Sequence, residues 1–230
     1  MKPYRDSIAG TAHSIAAGTV AAGVAMLIVF TGCEYLGGNA TDKGFMYKDL
    51  PVASGSAIAG DGNSVTFKGA PLALEGFGIK VGDRLRDVKV AKGDLSLTNI
   101  ADTKGTVRII SVVPSLDTTV CEQQTHYLSE KNDGLDRTVK LITVSVDTPF
   151  AQGRFAKEAR IHNITFLSDF RGGDFGKAYG LLVKDPHFLA RAVLVVDKDN
   201  VVKYLQITPE LAQMPDMEAA FRAARGLISS

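Results

Sequence analysis

The run from Thr106 to Val113 constrains the fold more than any other part of this sequence. It reads Thr-Val-Arg-Ile-Ile-Ser-Val-Val and is rich in β-branched residues, which predicts a buried central strand. Pro114 follows and ends the strand, because proline has no backbone N–H to donate within a sheet. Residues 119–131 then have helical character. A buried strand that leads directly into a helix favours an α/β domain.

Strands and helices alternate through the remainder of residues 63–230. Two runs around a glycine turn, 64–68 and 71–74, predict an N-terminal β-hairpin. The other predicted strands are 139–146, 164–167, 192–196 and 201–206, the last two forming a hairpin, and the other predicted helices are 150–160, 175–179 and 217–227. This order matches a thioredoxin-like α/β fold better than a β-sandwich.

Residues 1–33 have the features of an export segment. Basic residues precede a stretch without charges, 14–32, and Cys33 follows it. A basic start, an apolar stretch and small residues at its end are typical of a secretory signal peptide. The cysteine resembles the lipidation site of bacterial lipoproteins, although Phe30 stands where leucine is usual. We therefore predict lipidation at Cys33.

Two other structures remain open for the uncharged stretch. Its nineteen residues would span roughly 28 Å as a helix, which suits an uncleaved membrane anchor. A buried core helix is disfavoured because the stretch has no amphipathic period. Lys2 and Arg5 would hold the N-terminus in the cytoplasm, so we expect an exported, membrane-tethered protein on the periplasmic face. Residues 34–62, rich in Gly, Ala, Ser and Asp, are predicted to form a flexible tether.

The charge balance and the few cysteines exclude several function classes. The chain has 26 Lys and Arg residues and 25 Asp and Glu residues, without the basic excess of a nucleic-acid-binding protein. Two cysteines cannot form a disulfide framework or a four-cysteine zinc site. His126, His162 and His187 lack the spacing of metal ligands, so we predict no metal site.

Cys121 lies in the first turn of the predicted helix 119–131. Thr119 and Glu122 have the spacing of a capping box, which would make Thr119 the N-cap, and Thr118 is the alternative N-cap. In both cases the unpaired N–H groups and the positive end of the helix dipole favour the thiolate, which is the nucleophilic form of cysteine. On position alone, a buried cysteine that packs as a small hydrophobic residue is the competing interpretation.

The residues around Cys121 resemble a known motif. Residues 114–121 read Pro-Ser-Leu-Asp-Thr-Thr-Val-Cys and contain Pro-x-x-x-Thr-x-x-Cys, the peroxidatic motif of the peroxiredoxins. Three further segments are similar to bacterial thiol peroxidases of the atypical two-cysteine type: Asp-Thr-Pro-Phe-Ala-Gln-Gly-Arg-Phe at 147–155, Ala-Arg-Ala-Val at 190–193, and the opening hairpin at 65–72. The resemblance extends over about residues 63–228 and adds a second argument for a thioredoxin-like fold.

The resemblance implies a thiol peroxidase in which Cys121 attacks hydrogen peroxide or a small organic hydroperoxide and becomes a sulfenic acid. It also implies that Thr118 and Arg191 orient the peroxide and stabilise the thiolate, and that Pro114 shields the sulfur from water. The resemblance implies no metal, flavin or haem cofactor. A homodimer is one assembly that the sequence leaves open. Arg154 either supports the site or pairs on the surface.

One position departs from the pattern of the thiol peroxidases. Their resolving cysteine directly follows Arg-Phe, and Ala156 stands there in this chain. If Cys33 is acylated or in the membrane, Cys121 has no internal thiol partner. We then expect an external thiol or a thioredoxin-like reductant to reduce the sulfenic acid. A peroxide-sensing or binding module with little turnover is the rival interpretation.

Overall fold

The structure is a computed structural model and describes residues 44–229. The predictions for residues 1–33, including the signal or anchor and the lipidation of Cys33, lie outside the described residues, as does the first part of the predicted tether, 34–43. Within the described range, no helix combines the length and the apolar character that crossing a bilayer requires.

The described residues form strands and helices close to the predicted positions. The strands are β1 (Ser64–Phe67), β2 (Ala70–Glu75), β3 (Lys89–Ala91), β4 (Leu97–Asn99), β5 (Val107–Val112), β6 (Val139–Ser145), β7 (Ile164–Ser168), β8 (Leu182–Val183), β9 (Phe188–Leu189), β10 (Ala192–Val196) and β11 (Val202–Ile207). The helices are α1 (Thr119–Glu130), α2 (Pro149–Glu158), α3 (Asp174–Tyr179) and α4 (Met217–Ile228), with short 3-10 turns at Ile100–Thr103 and Leu135–Arg137.

Two sheets are present among these residues. The larger has the strand order β11-β10-β5-β6-β7-β3-β4 and the smaller β1-β2-β8-β9. Strands β5, β6 and β7 are parallel, whereas β10 is antiparallel to β5 and forms a hairpin with β11. The predicted N-terminal hairpin is β1–β2, and the predicted central strand is β5. The α/β class expected from the sequence is confirmed.

The larger sheet is covered on both faces, because alternate residues of a strand point to opposite sides. Ile110 and Ile142 face a core that includes residues of α3 and the smaller sheet. Their neighbours Ile109 and Leu141 face a second core, which includes residues of α1 and α4. All six residues of β5 are buried, as is usual for a parallel strand between two helical layers.

Residues 44–62 differ from the predicted flexible tether, since they pack along the domain. The N–H of Ala53 donates to the carbonyl of Met214 at 2.8 Å, and the N–H of Ala57 donates to the carbonyl of Ile207 at 2.8 Å. The amide of Gln206 donates to the carbonyls of Ala53 and Gly55 at 3.1 and 2.9 Å. Composition misled the prediction because these bonds use backbone groups, which small residues offer as well as any others.

Candidate active site

The loop that carries the peroxidatic motif lies at the carboxyl ends of β5 and β6. Val113 extends the pairing of these parallel strands, because its N–H donates to the carbonyl of Val144 at 3.0 Å. Beyond Pro114, the carboxylate of Asp147 accepts from the hydroxyl of Ser115 and from the N–H of Leu116, both at 2.8 Å. Asp147 therefore holds the loop in shape from the end of the neighbouring strand.

Helix α1 begins directly after this loop, with Thr118 as its N-cap. The predicted capping box of Thr119 and Glu122 is therefore wrong, since the cap lies one residue earlier. The hydroxyl of Thr118 makes no capping bond and donates instead to the carbonyl of Ser115 at 3.1 Å. Cys121 is the third helical residue, so its sulfur lies in the first turn, as both alternatives predicted.

The sulfur of Cys121 is fully buried. Cys121 forms a small apolar cluster with Val113 and Leu116, against which Phe155 and Phe166 pack. The described polar contact of the sulfur is with Arg191, whose Nη2 lies 3.3 Å from Sγ. Cys121 therefore packs in an apolar cluster and also has a contact with a guanidinium group, which packing alone does not explain.

Arg191 is also buried and enters from the segment between β9 and β10. Its Nε donates to the carbonyl of Leu211 at 2.9 Å, and its Nη1 donates to Oε1 of Gln124 at 2.8 Å. No carboxylate within residues 44–229 forms an ion pair with it. A buried cation without an acidic partner needs compensation, and the sulfur of Cys121 is the group placed to provide negative charge.

Gln124 is a site residue that the sequence interpretation missed. Its Nε2 donates to the hydroxyl of Ser111 at 2.8 Å and to the carbonyl of Ala192 at 3.3 Å, while its Oε1 accepts from Arg191. One side chain thus joins α1 to β5, β10 and the guanidinium. Its position three residues after Cys121, on the same face of the helix, was the available signal.

A cavity of about 590 Å³ opens beside this buried pair. The predicted residues Pro114, Thr118 and Arg191 all line it, so the structure brings them together as expected. The other walls are largely apolar, with two basic side chains among them, and comprise Phe67, Lys68, Ser115, Thr119, Val120, Val146, Asp147, Pro186, His187, Phe188, Leu211 and Ala212. The resemblance implies that Thr118 stabilises the thiolate, but in this structure its hydroxyl donates to the carbonyl of Ser115 and not to the sulfur.

The remaining candidates lie around the site rather than in it. Ala156 is half-buried on α2, and Phe155 beside it packs against the cluster of Cys121. Arg154 is exposed and lines a smaller cavity of about 60 Å³ together with Asp117 and Asp147. It does not line the larger cavity.

The three histidines of the domain lie in different environments. His126 is buried on α1, with its Nδ1 2.6 Å from Oε1 of Glu130. His162 and His187 are exposed, and His187 lines the larger cavity. Each thus has a surface or packing environment.

Known proteins resemble this chain in sequence and in fold. Residues 80–221 match the Redoxin family. A thiol peroxidase of Halalkalibacterium halodurans is 44% identical over 165 residues, which are 72% of this chain and 99% of that protein. A thiol peroxidase of Streptococcus pneumoniae is 42% identical over 163 residues, 71% of this chain and 99% of that protein.

Solved structures agree with these relatives. A peroxiredoxin-like protein from Aquifex aeolicus is 37% identical and has a TM-score of 0.68, covering 75% of this chain and 99% of that chain. A thiol peroxidase from Chromobacterium violaceum is 23% identical, with a TM-score of 0.65 over 73% of this chain and 98% of that chain, and supports the fold alone.

Proposed function

The chain belongs to the redoxin family, as a peroxiredoxin of the bacterial thiol peroxidase type, and from that premise we propose that Cys121 is its peroxidatic cysteine. The domain has the thioredoxin-like α/β fold of this family and is a thiol-dependent peroxidase. The observation that carries the proposal is the buried guanidinium of Arg191, 3.3 Å from Sγ at the first turn of a helix.

In the first step, the thiolate of Cys121 attacks one oxygen of a hydroperoxide. A sulfur–oxygen bond forms, the O–O bond breaks, and the OH group passes to the sulfur as a sulfenic acid. The departing alkoxide takes a proton from solvent and leaves as an alcohol, or as water when the substrate is hydrogen peroxide. Negative charge thus moves from sulfur to oxygen, so a fixed cation beside the sulfur stabilises the reacting atoms.

Each residue around the cavity has a part in this step. Arg191 stabilises the charge on Sγ and has one edge on the cavity where the peroxide would lie. The hydroxyl of Thr118 donates to Ser115, which leaves its oxygen free to accept a hydrogen bond from the peroxide. Pro114 lines the cavity and offers no backbone N–H that could hold a water molecule beside the sulfur.

The apolar walls of the cavity favour organic hydroperoxides alongside hydrogen peroxide. Phe67, Phe188 and Leu211 line one volume of about 590 Å³, far more than hydrogen peroxide needs. Burial of an alkyl chain against them contributes about 25 cal/mol for each Å² removed from water. An organic hydroperoxide therefore gains binding energy that hydrogen peroxide lacks.

The second step requires a thiol from outside the domain, because Ala156 stands at the resolving position. The external thiol attacks the sulfur of the sulfenic acid, releasing water and forming a mixed disulfide. A second thiol then attacks this disulfide, which restores the thiol of Cys121 and releases the external disulfide. A small thiol or a thioredoxin-like protein fits this chemistry.

The test is peroxide consumption by the purified full-length protein with several thiol donors. Cys121→Ser should abolish consumption, because a hydroxyl is a far weaker nucleophile, while circular dichroism stays unchanged. Cys33→Ser is the matched control and should retain full turnover. Full activity in Cys121→Ser would disprove the assignment of the peroxidatic cysteine, and loss of turnover in Cys33→Ser would disprove reduction by an external thiol.

A sensing module with little turnover is not favoured, since the relatives are named as peroxidases.

We also propose export and tethering of the domain at the periplasmic face of a membrane. The support is in the sequence: Lys2 and Arg5 precede the uncharged residues 14–32, and Cys33 follows them. Mass spectrometry of the mature N-terminus tests this. A lipid-modified Cys33 supports the lipoprotein, an intact Met1 in the membrane fraction supports the anchor, and an unmodified protein in the cytoplasmic fraction refutes both.

A further inference from the structure

Residues 45–52, here called the N-terminal strap, lie across helix α1. The ring of Phe45 stacks on the imidazole of His126, with centroids 3.9 Å apart and an interplanar angle of 13°. The N–H of Lys48 donates to Oε1 of Gln123 at 2.8 Å, and Nε2 of Gln123 donates back to the carbonyl of Lys48 at 2.9 Å. The strap is therefore bound to α1 by one pair of stacked rings and by two reciprocal hydrogen bonds.

A third contact holds the strap near the end of α1. The hydroxyl of Tyr47 donates to Oε2 of Glu130 at 2.8 Å, while Oε1 of the same carboxylate contacts His126. Burial, and then the hydrogen bond to Glu130, raises the pKa of Tyr47, so its hydroxyl remains a donor. The strap thus contacts α1 over nearly two turns.

Helix α1 depends on such contacts because its buried side chains are mostly polar. They are Cys121, Gln123, Gln124, Thr125, His126 and Leu128. Gln123 and His126 are each only 5% exposed, and the strap supplies the partners of the Gln123 amide and one face of the imidazole. Without the strap, these two side chains would return to water and α1 would lose one of its supporting layers.

The far end of the strap is fixed to a different part of the domain. The N–H of Met214 donates to the carbonyl of Pro51 at 2.8 Å, and Val52 pairs with Met214 in a parallel bridge. Met214 precedes α4, whose apolar residues belong to the core. The strap therefore joins α1 to a firmly packed region.

The burial of Cys121 gives this connection a consequence for turnover. The residue is 0% exposed, and the cluster of Val113, Leu116 and Phe155 surrounds it. Arg191, whose Nη2 contacts Sγ, also lines the larger cavity, which is where a small peroxide would approach. A thiol is larger and must bring its own sulfur into bonding contact with Sγ. A bulky reductant therefore needs the first turn of α1 to move.

We propose that the strap is a latch on α1, and that its release admits the thiol reductant to the sulfenic acid of Cys121. With the strap bound, the first turn of α1 keeps its position over Cys121. This state favours oxidation by peroxide and retards reduction by a thiol. With the strap released, an external thiol attacks the sulfenic sulfur, water leaves and the mixed disulfide forms. The claim that strap release speeds reduction of the sulfenic acid rests on the proposed function. The claim that the strap holds α1 in place does not.

The experiment compares Phe45→Ala and Gln123→Ala with Phe77→Ala in the full-length protein. Phe77 is 86% exposed and lies outside the strap, so its substitution is the matched control. Hydrogen exchange of the α1 amides should accelerate at least tenfold more than exchange of the β5 and β10 amides in both strap variants. Reduction of the sulfenic acid by 2-mercaptoethanol and by a thioredoxin should accelerate at least threefold, and oxidation by hydrogen peroxide should be unchanged or slower.

Three results would overturn the proposal. The first is unchanged exchange of α1 in both strap variants, and the second is an equal acceleration across the whole domain, which would show general destabilisation. The third is faster exchange of α1 with an unchanged rate of reduction. If the wild-type protein forms no sulfenic acid at all, the proposed function fails, and hydrogen exchange still decides whether the strap holds α1.

Discussion

Helices α1 and α4 have the same length and contribute to the same core, yet they are held in opposite ways. Each has twelve residues. Helix α4 buries Met217, Ala220, Phe221 and Ala224, which recur every three or four residues and form one apolar stripe. In α1, Leu128 is the large aliphatic residue that is buried, and the other buried side chains carry polar atoms or sulfur.

The apolar packing of α4 serves mainly the stability of the domain, whereas the polar contacts of α1 serve mainly the geometry of the site. Burial of a large apolar side chain contributes about 1.5–3 kcal/mol but fixes no direction, so α4 anchors the domain. A hydrogen bond contributes about 0.5–1.5 kcal/mol net but fixes both distance and angle. The bonds of Gln124 and Arg191 therefore give α1 less stability than the stripe gives α4, while they set the geometry around Cys121.

The largest effect on chemistry should follow from Arg191→Ala. Loss of the buried cation should slow sulfenic acid formation about 30- to 1000-fold, equal to about 2–4 kcal/mol. Stopped-flow oxidation by hydrogen peroxide measures it. Arg191→Lys is the control, since it keeps a charge but loses the branched set of bonds to Leu211, Gln124 and Sγ, and should recover part of the rate. Unchanged kinetics in Arg191→Ala would assign the role to another residue.

Phe221→Ala tests the other side of the comparison. Phe221 is fully buried in α4, so its truncation should lower the free energy of unfolding by about 3–5 kcal/mol. Oxidation of Cys121 should stay within about twofold under conditions where the variant is folded. Urea unfolding gives the stability, with Phe77→Ala as an exposed control. A loss of rate as large as that of Arg191→Ala would show that α4 also shapes the site.

The two helices also show what could be predicted from the sequence. The stripe of α4 predicts which face of that helix is buried, and the continuous β-branched run of β5 predicts a strand that is buried on both faces. Helix α1 has no comparable stripe, so the position of Cys121 in its first turn follows from the two alternative N-caps, Thr118 and Thr119. Thr118, Pro114 and Arg191 converge on one cavity, as the resemblance implied.

The contacts that were missed are long-range and polar. Gln124 meets Arg191 across 67 positions of the chain, and Gln123 meets Lys48 across 75. No local pattern records which amide pairs with which partner. The strap was mistaken for part of a tether because residues 34–62 as a whole are rich in Gly, Ala, Ser and Asp. Residues 45–52 contain no Gly, Ala or Ser, and Phe45 and Tyr47 among them were signals of packing.

A new thiol on α2 tests whether the sulfenic acid of Cys121 can be reduced by a cysteine of the same domain. Ala156→Cys places a thiol beside Phe155, which packs against the cluster of Cys121. We expect a disulfide between Cys121 and the introduced thiol after one equivalent of peroxide. We also expect at least tenfold less over-oxidised Cys121, because a neighbouring thiol intercepts the sulfenic acid. Non-reducing peptide mapping measures both, and Ala159→Cys on the same segment is the control. Persistent sulfenic acid in Ala156→Cys would show that the two positions do not meet.

The smallest effect, and the sharpest test of the comparison, is expected from two neighbouring glutamines of α1. Gln124→Ala removes the acceptor of Arg191 Nη1 and the bonds to Ser111 and Ala192. With one directional bond lost, the guanidinium should lose its alignment on Sγ, at a cost of about 1 kcal/mol, and oxidation should slow by roughly three- to tenfold.

Gln123→Ala is the matched control, because Gln123 bonds to the strap and has no described bond to Arg191. Both substitutions remove a buried amide from the same helix, so both should lower the free energy of unfolding by about 1–2 kcal/mol. A purely structural role for Gln124 would slow oxidation equally in the two variants. A positioning role slows it in Gln124→Ala and at most slightly in Gln123→Ala, and stopped-flow oxidation measured beside urea unfolding distinguishes the two outcomes.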